Sequence, residues 1–221
     1  MNSVFQANPA PHTLSHWCDY GDILYNGMTG HLGRKKGALQ LARTGPFVPD
    51  IFVSGVADIL INDSVKRQLE AILPSLVFVP VVKVQIVDLD WHTWDLSAEE
   101  PLEYPKTGGP EDFILGREHD PALSELIGPI WEISPEIDAE IQGAGGCFNS
   151  RHYKGQHLVR ANIYAGYNFV SDELRSALQA VVPGRIEFVP LIKTADYFRL
   201  LGPLWCGSGP VGQCRFGLTY N

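Results

Sequence analysis

The first chemistry these residues invite is that of a thiol nucleophile. Cys147 follows Gly143-Ala144-Gly145-Gly146, with His152 and His157 close behind it. A glycine loop can bring backbone amides to an oxyanion, and an imidazole within hydrogen-bond reach can draw the proton from the thiol. Proximity along the chain does not establish that reach, and a glycine loop capping a strand explains the same residues. His12, His16 and Cys18 have ligand-like spacing. Zinc needs three or four ligands, and none of the later cysteines forms a Cys-x-x-Cys pair to complete the set. No metal and no cofactor are expected. Cys206 and Cys214, in a glycine-rich tail, read as ordinary thiols. Gly27, Gly30 and Gly33 recur every third residue ahead of Arg34, Lys35 and Lys36, but neither phosphate-loop pattern is present. Turn glycines beside a solvated basic cluster account for them.

The run Asp88-Leu89-Asp90-Trp91-His92-Thr93-Trp94-Asp95 points to recognition instead. Aromatic residues are enriched at interface hot spots, and acidic neighbours steer a basic partner. The expected partner-binding residues are Asp88, Asp90, Trp91, Trp94, Asp95, Glu99, Glu100 and Glu103. In the competing reading the tryptophans pack into the core as a strand ends.

Charge is segregated along the chain. The 221 residues carry a formal charge of −8, yet Ile86 to Ile141 alone holds 15 acidic residues against Lys106 and Arg117, a balance of −13. The remainder, with 10 acidic and 15 basic residues, stands at +5. Such a middle segment is either a solvated connection or a docking surface for a basic protein, and it argues against nucleic acid, which demands Lys and Arg. No apolar run approaches the ~20 residues of a membrane span, and the first residues lack a basic start and an apolar signal core. Four cysteines are too few for a disulfide scaffold. A soluble cytoplasmic protein is the expectation.

The elements that must position these residues come from an internal repeat. Asn62 to Lys83 reads NDSVKRQLEAILPSLVFVPVVK, and Ser171 to Lys193 reads SDELRSALQAVVPGRIEFVPLIK. With one extra residue after the proline they share Asp63/Asp172, Leu69/Leu178, Pro74/Pro183, Phe78/Phe188, Pro80/Pro190 and Lys83/Lys193. In each copy a polar cap and an aspartate start a helix, an apolar stripe follows, and proline stops it. The next stretches, Leu76 to Val87 and Arg185 to Ile192, are strand-forming, and Pro80 and Pro190 put them at an edge or a bulge. Ile51 to Val53 and His157 to Tyr164 read as short strands, Pro121 to Leu126 and Asp196 to Leu201 as weak helices. Trp94 to Gly116, rich in proline and glycine, reads as a loop. The fold class expected is α+β, a duplicated helix-strand unit with helices packed on a mainly antiparallel sheet. The repeat-containing halves are 1–92 and 146–221, and 93–145 is an acidic connection between them, all within one domain.

The run RTGPFVPDI from Arg43 to Ile51, then Gly-Val-Ala-Asp-Ile at Gly55 to Ile59, the Asn62 to Lys83 unit and Ile86 to Trp91 together resemble a family of bacterial immunity proteins. That family was first described as a domain of unknown function in myxobacteria, and its members neighbour polymorphic or contact-dependent toxins. The resemblance covers Arg43 to Trp91 and Asn168 to Ile192. It implies a non-enzymatic protein that binds and neutralises a cognate toxin, basic on its contact surface. Some relatives carry paired Cys-x-x-Cys-Gly motifs suited to zinc, and this chain has none, so no metal is carried over. A cysteine-dependent hydrolase or transferase using Cys147 with His152 or His157 stands as the alternative.

Overall fold

The structure, a computed structural model, describes residues 3–30, 32–55, 57–138, 143–144, 147–148, 153–161 and 167–193. In chain order the elements are β1 (Val4–Pro9), α1 (Asp19–Asn26), β2 (Arg34–Lys35), β3 (Ala38–Gly45), β4 (Ile51–Ser54), β5 (Asp58–Asn62), α2 (Asp63–Ile72), β6 (Phe78–Pro80) and β7 (Val82–Asp88). Then follow α3 (Asp112–Leu115), α4 (Pro121–Leu126), β8 (Ile130–Ile133), β9 (Glu136–Asp138), β10 (Gly143–Ala144), β11 (Cys147–Phe148), β12 (Leu158–Ala161), β13 (Asn168–Ser171), α5 (Asp172–Val181), β14 (Ile186–Pro190) and β15 (Ile192–Lys193). This is an α+β fold with mostly antiparallel sheets.

The repeat helices form where local chemistry demands. The Asn62 side chain accepts the Val65 amide at 2.9 Å and the Ser171 hydroxyl accepts the Leu174 amide at 3.2 Å, each satisfying an orphan donor of the first turn. Val65 and Leu69 on α2, and Leu174 and Leu178 on α5, are fully buried, and the two helices pack against each other. Their apolar faces join Ile59, Ile61 and Ile133 with Ala7, Leu158 and Val170 in one central core. A second core lies over β3 and β7, built from Leu14, Leu24, Leu41, Val87, Trp91 and Phe113 among others.

The duplication extends beyond the sequence repeat, and it is interlocked. In the first half the strand order is β4-β5-β8-β6, and in the second it is β12-β13-β1-β14 with β9 added outside β12. Each half therefore holds, between the strand before its helix and the strand after it, a strand from outside it: β8, from the segment ahead of the second half, in the first, and β1, from the start of the first half, in the second. The registers coincide. Val4 pairs with Ser171 and Phe5 with Pro190, as Ile130 pairs with Asn62 and Trp131 with Pro80. Aligned this way, Val4-Phe5-Gln6-Ala7-Asn8-Pro9 matches Ile130-Trp131-Glu132-Ile133-Ser134-Pro135. Side-chain contacts repeat as well: Lys66 lies 4.8 Å from the Trp131 ring centroid, and the Arg175 guanidinium lies 4.8 Å from that of Phe5. The small sheets match too, β2-β3-β7 against β10-β11-β15, each with a parallel outer pair.

Pro80 and Pro190 sit on edge strands, as the missing amide requires. The expected strand Leu76 to Val87 is two strands: β6 leaves one sheet and β7 enters another, with Val81 donating to Ile130 O between them. Residues 93–145 are more than a connection, since they supply β8, an interior strand of the first half's sheet. Pro121 to Leu126 is a helix, capped by Asp120. The loop expected from Trp94 to Gly116 contains the one-turn helix α3. Asp196 to Leu201, and Cys206 and Cys214, lie outside the described residues.

Candidate functional site

The acidic segment leaves β7 at Asp88 and crosses the outer core. Asp88, Asp90, Asp95, Glu99, Glu100 and Glu103 are all exposed, as their type and position lead one to expect. Trp91 and Trp94 are not: they are 2% and 8% exposed, and this corrects the expectation that they form an aromatic contact surface. The reason is local geometry. Trp91–Thr93 is a 3-10 turn, in which side chains three positions apart eclipse, so both indoles turn to one side, and that side is the core. The Trp91 Nε1 donates to Thr44 Oγ1 at 3.1 Å, and its ring packs against Phe47 and His92. Trp94 packs against Trp17 and Phe113.

With its aromatics inside, the segment is held rather than loose. The Trp17 and His16 ring nitrogens donate to Ala98 O at 2.9 and 2.8 Å, and the Tyr20 hydroxyl donates to Gly108 O at 2.6 Å. Gln85 Nε2 donates to Ile114 O and Arg117 O, while the Asp120 amide donates to Ile86 O at 2.7 Å along the outer edge of β7. Lys83 Nζ closes the end of α4 by donating to Gly128 O at 2.8 Å and to Ser124 O. The Asp95 carboxylate accepts the Ser97 hydroxyl and amide, which hold its pKa below the usual carboxylate range. Burial and then the neighbouring Glu100 raise the Tyr104 hydroxyl pKa, and Glu103 pairs with Arg117 at 3.3 Å.

Of the alternative site, only the His157 side chain lies among the described residues. His157 shares hydrogen bonds with two hydroxyls, Ser75 at Nε2 and the cap Ser171 at Nδ1, at 3.0 and 3.1 Å. The Cys147 side chain and His152 lie outside the described residues. His12 stacks on Tyr25 at 4.3 Å and its Nδ1 accepts the Leu14 amide, whereas His16 faces Ala98. Among the described residues no group of three or more His, Cys, Asp and Glu is placed to hold a metal. The basic cluster is the β2-β3 hairpin turn, with Lys36 at φ 53° and Gly37 at φ 86°. A pocket lined by His12, Tyr25, Phe52, Gly184 and Arg185 has about 20 Å³, room for about one water and far short of the ~300 Å³ of a small-molecule site.

One constellation was not visible in the sequence. Glu132, 1% exposed on β8, takes a bidentate pair from Arg34 at 2.8 and 2.5 Å. Asp58 takes Arg160 Nη1 at 2.9 Å and the Thr29 hydroxyl at 3.1 Å, while Arg160 and Asn168 both donate to Ala57 O. Arg160 and Asn168 belong to the second half and Asp58 to the first, so the network fastens the halves together. The charges are paired, which is the first condition for burying them, while Arg160 Nε and Asn168 Oδ1 have no hydrogen-bond partner among the described residues. Arg43 is different: it is fully buried with no carboxylate, donates to Thr44 O, Phe47 O and Tyr25 O, and burial lowers its pKa to about 9. It clamps the turn through the cis Gly45-Pro46 bond that leads into β4.

No family model, curated protein or solved structure matches this chain. No helix among the described residues is long and apolar enough to cross a membrane.

Proposed function

We propose that the protein is a non-enzymatic immunity protein, which neutralises a cognate bacterial toxin by covering it through the acidic face. The observation that carries this reading is the rigid presentation of like charge. Asp88, Asp90, Asp95, Glu99, Glu100 and Glu103 project from a segment anchored by buried Trp91, Trp94 and Phe113. Between Ile86 and Ile141 the sequence offers only Lys106 and Arg117 as cations, and Arg117 is occupied by Glu103. A fixed field of one sign raises the encounter rate with a basic protein and repels nucleic acid. The reading gives the chain a protein partner, no cofactor and no membrane, and places it in the cytoplasm, where the toxin would act.

Co-expression with the product of the adjacent gene tests the role: loss of toxicity together with a stable co-purifying complex is the expected result, and neither occurring refutes it. The face itself is tested by replacing the six carboxylates with their amides. Association should slow strongly at low ionic strength and converge on the parent rate as salt rises, because the Debye length shrinks from ~30 Å at ~0.01 M to ~8 Å at ~0.15 M. An unchanged rate at low salt would reduce the segment to a solvated surface.

A further inference from the structure

We infer that the contact centre of this face is an apolar trio, Leu102, Tyr104 and Leu115, and that its occupant is a basic protein surface with an apolar recess ringed by lysine and arginine. The inference rests on the immunity reading and gives it a place. These side chains are 71%, 50% and 50% exposed, unlike the tryptophans beneath them. The two stretches that carry them, around residues 102–104 and 113–117, are tied together by their neighbours. Arg117, two residues beyond Leu115, pairs with Glu103 between Leu102 and Tyr104. The Tyr104 ring stands edge-on to Tyr20 at 5.3 Å, and Tyr20 stands edge-on to buried Phe113 at 6.1 Å, two residues before Leu115.

Exposed apolar side chains in water are ordinary singly, but three on two stretches that are tied to each other within an acidic segment suit an interaction site. The anchoring of the loop through Tyr20 and Gly108 removes much of the ordering entropy that a free loop would lose on binding. Glu99, Glu100, Glu103 and Glu118 are exposed around the trio in sequence and outnumber Lys106 and Arg117, which gives the apolar centre a polar rim of net negative charge. That rim selects the occupant. A second copy of this chain docking through the same face would bring carboxylates against carboxylates, whereas a basic protein finds charge complementarity around a desolvated centre.

The test uses the full chain and the adjacent-gene toxin, with dissociation followed in real time. The triple variant Leu102→Ser, Tyr104→Ser, Leu115→Ser should weaken the complex by on the order of a hundredfold, mainly through faster dissociation, and abolish protection in cells. Its melting temperature should stay close to the parent's, since the side chains are exposed. If the triple variant unfolds, Leu102→Ser alone carries the test. Val77→Ser, at a 61% exposed apolar residue outside the acidic segment, should leave affinity unchanged. A triple variant that binds and protects like the parent overturns the trio while leaving the immunity reading intact. A parent chain that neither binds nor protects overturns that reading, and the trio falls with it.

Discussion

Replacing Trp91 by alanine separates a core role from a binding role. The indole is 2% exposed, packs against Tyr25, Phe47 and His92, and donates one hydrogen bond to Thr44. Truncating a buried tryptophan costs roughly 3 to 5 kcal/mol, transfer and cavity together. The lost hydrogen bond adds little, because the Thr44 hydroxyl keeps its bond to Leu24 O at 3.2 Å and is not orphaned. For a chain of this size about 1 kcal/mol shifts the melting temperature by roughly 2 to 4 °C, so the variant should melt on the order of 10 °C lower. Thermal unfolding by circular dichroism and a urea titration of the free protein measure this directly. At temperatures where the variant remains folded, association with and dissociation from the proposed toxin should match the parent's. A melting temperature within ~2 °C of the parent, with faster dissociation from the toxin, would refute the reasoning and return Trp91 to the contact surface.

The helix caps offer a matched pair: Asn62→Ala and Ser171→Ala should each destabilise by about 1 kcal/mol in urea unfolding, since each removes the acceptor of one first-turn amide. Stability should fall with acidity already near neutrality. Burial depresses the pKa of His12 and of His92 below the ordinary 6.5, so the unfolded chain binds protons first and stability complete above that value is lost as pH drops through it. Melting temperatures from about pH 7.5 to about pH 5.5 should show the decline, and His12→Asn should flatten it. Arg43→Lys should cost about 2 to 3 kcal/mol despite keeping the charge, because an ammonium cannot reproduce the fork that reaches Thr44 O and Phe47 O together; an unchanged urea midpoint would contradict the clamp.

What was legible in the sequence is what local signals encode. The caps at Asn62 and Ser171, the aspartates after them, the stopping prolines and the short helix from Pro121 each carry their own instruction within a few residues. Strands β1 and β8 are short runs of six and four residues that gain meaning only when set against each other, and their partners lie far along the chain. Helix α1 was hidden by Gly21, a poor helix former. Its Cβ would lie 1.9 Å from Leu14 O, so the residue answers to a tertiary approach rather than to helix propensity. Asp88, Asp90, Asp95, Glu99, Glu100 and Glu103 are exposed as carboxylates usually are, but Glu132 of the same acidic stretch is buried, and the placing of Trp91 and Trp94 depended on which way a 3-10 turn faces. The Arg34–Glu132 and Arg160–Asp58 pairs join residues 98 and 102 positions apart, a relation that single-chain periodicity does not contain.

The reciprocal placing of β1 and β8 has the geometry of two identical molecules that have swapped an arm. A lone ancestral unit would hold an empty slot between the strand before its helix and the strand after it, and would be complete only in the embrace of a twin. Fusing the twins end to end replaces an encounter between molecules by one within a molecule, at the millimolar-scale local concentration of a short tether, and so removes any dependence on dilution. It also releases the two units from identity. The acidic run from Ile86 to Ile141 lies between the two copies of the repeat, so its surplus of carboxylates need not be repeated in the second copy.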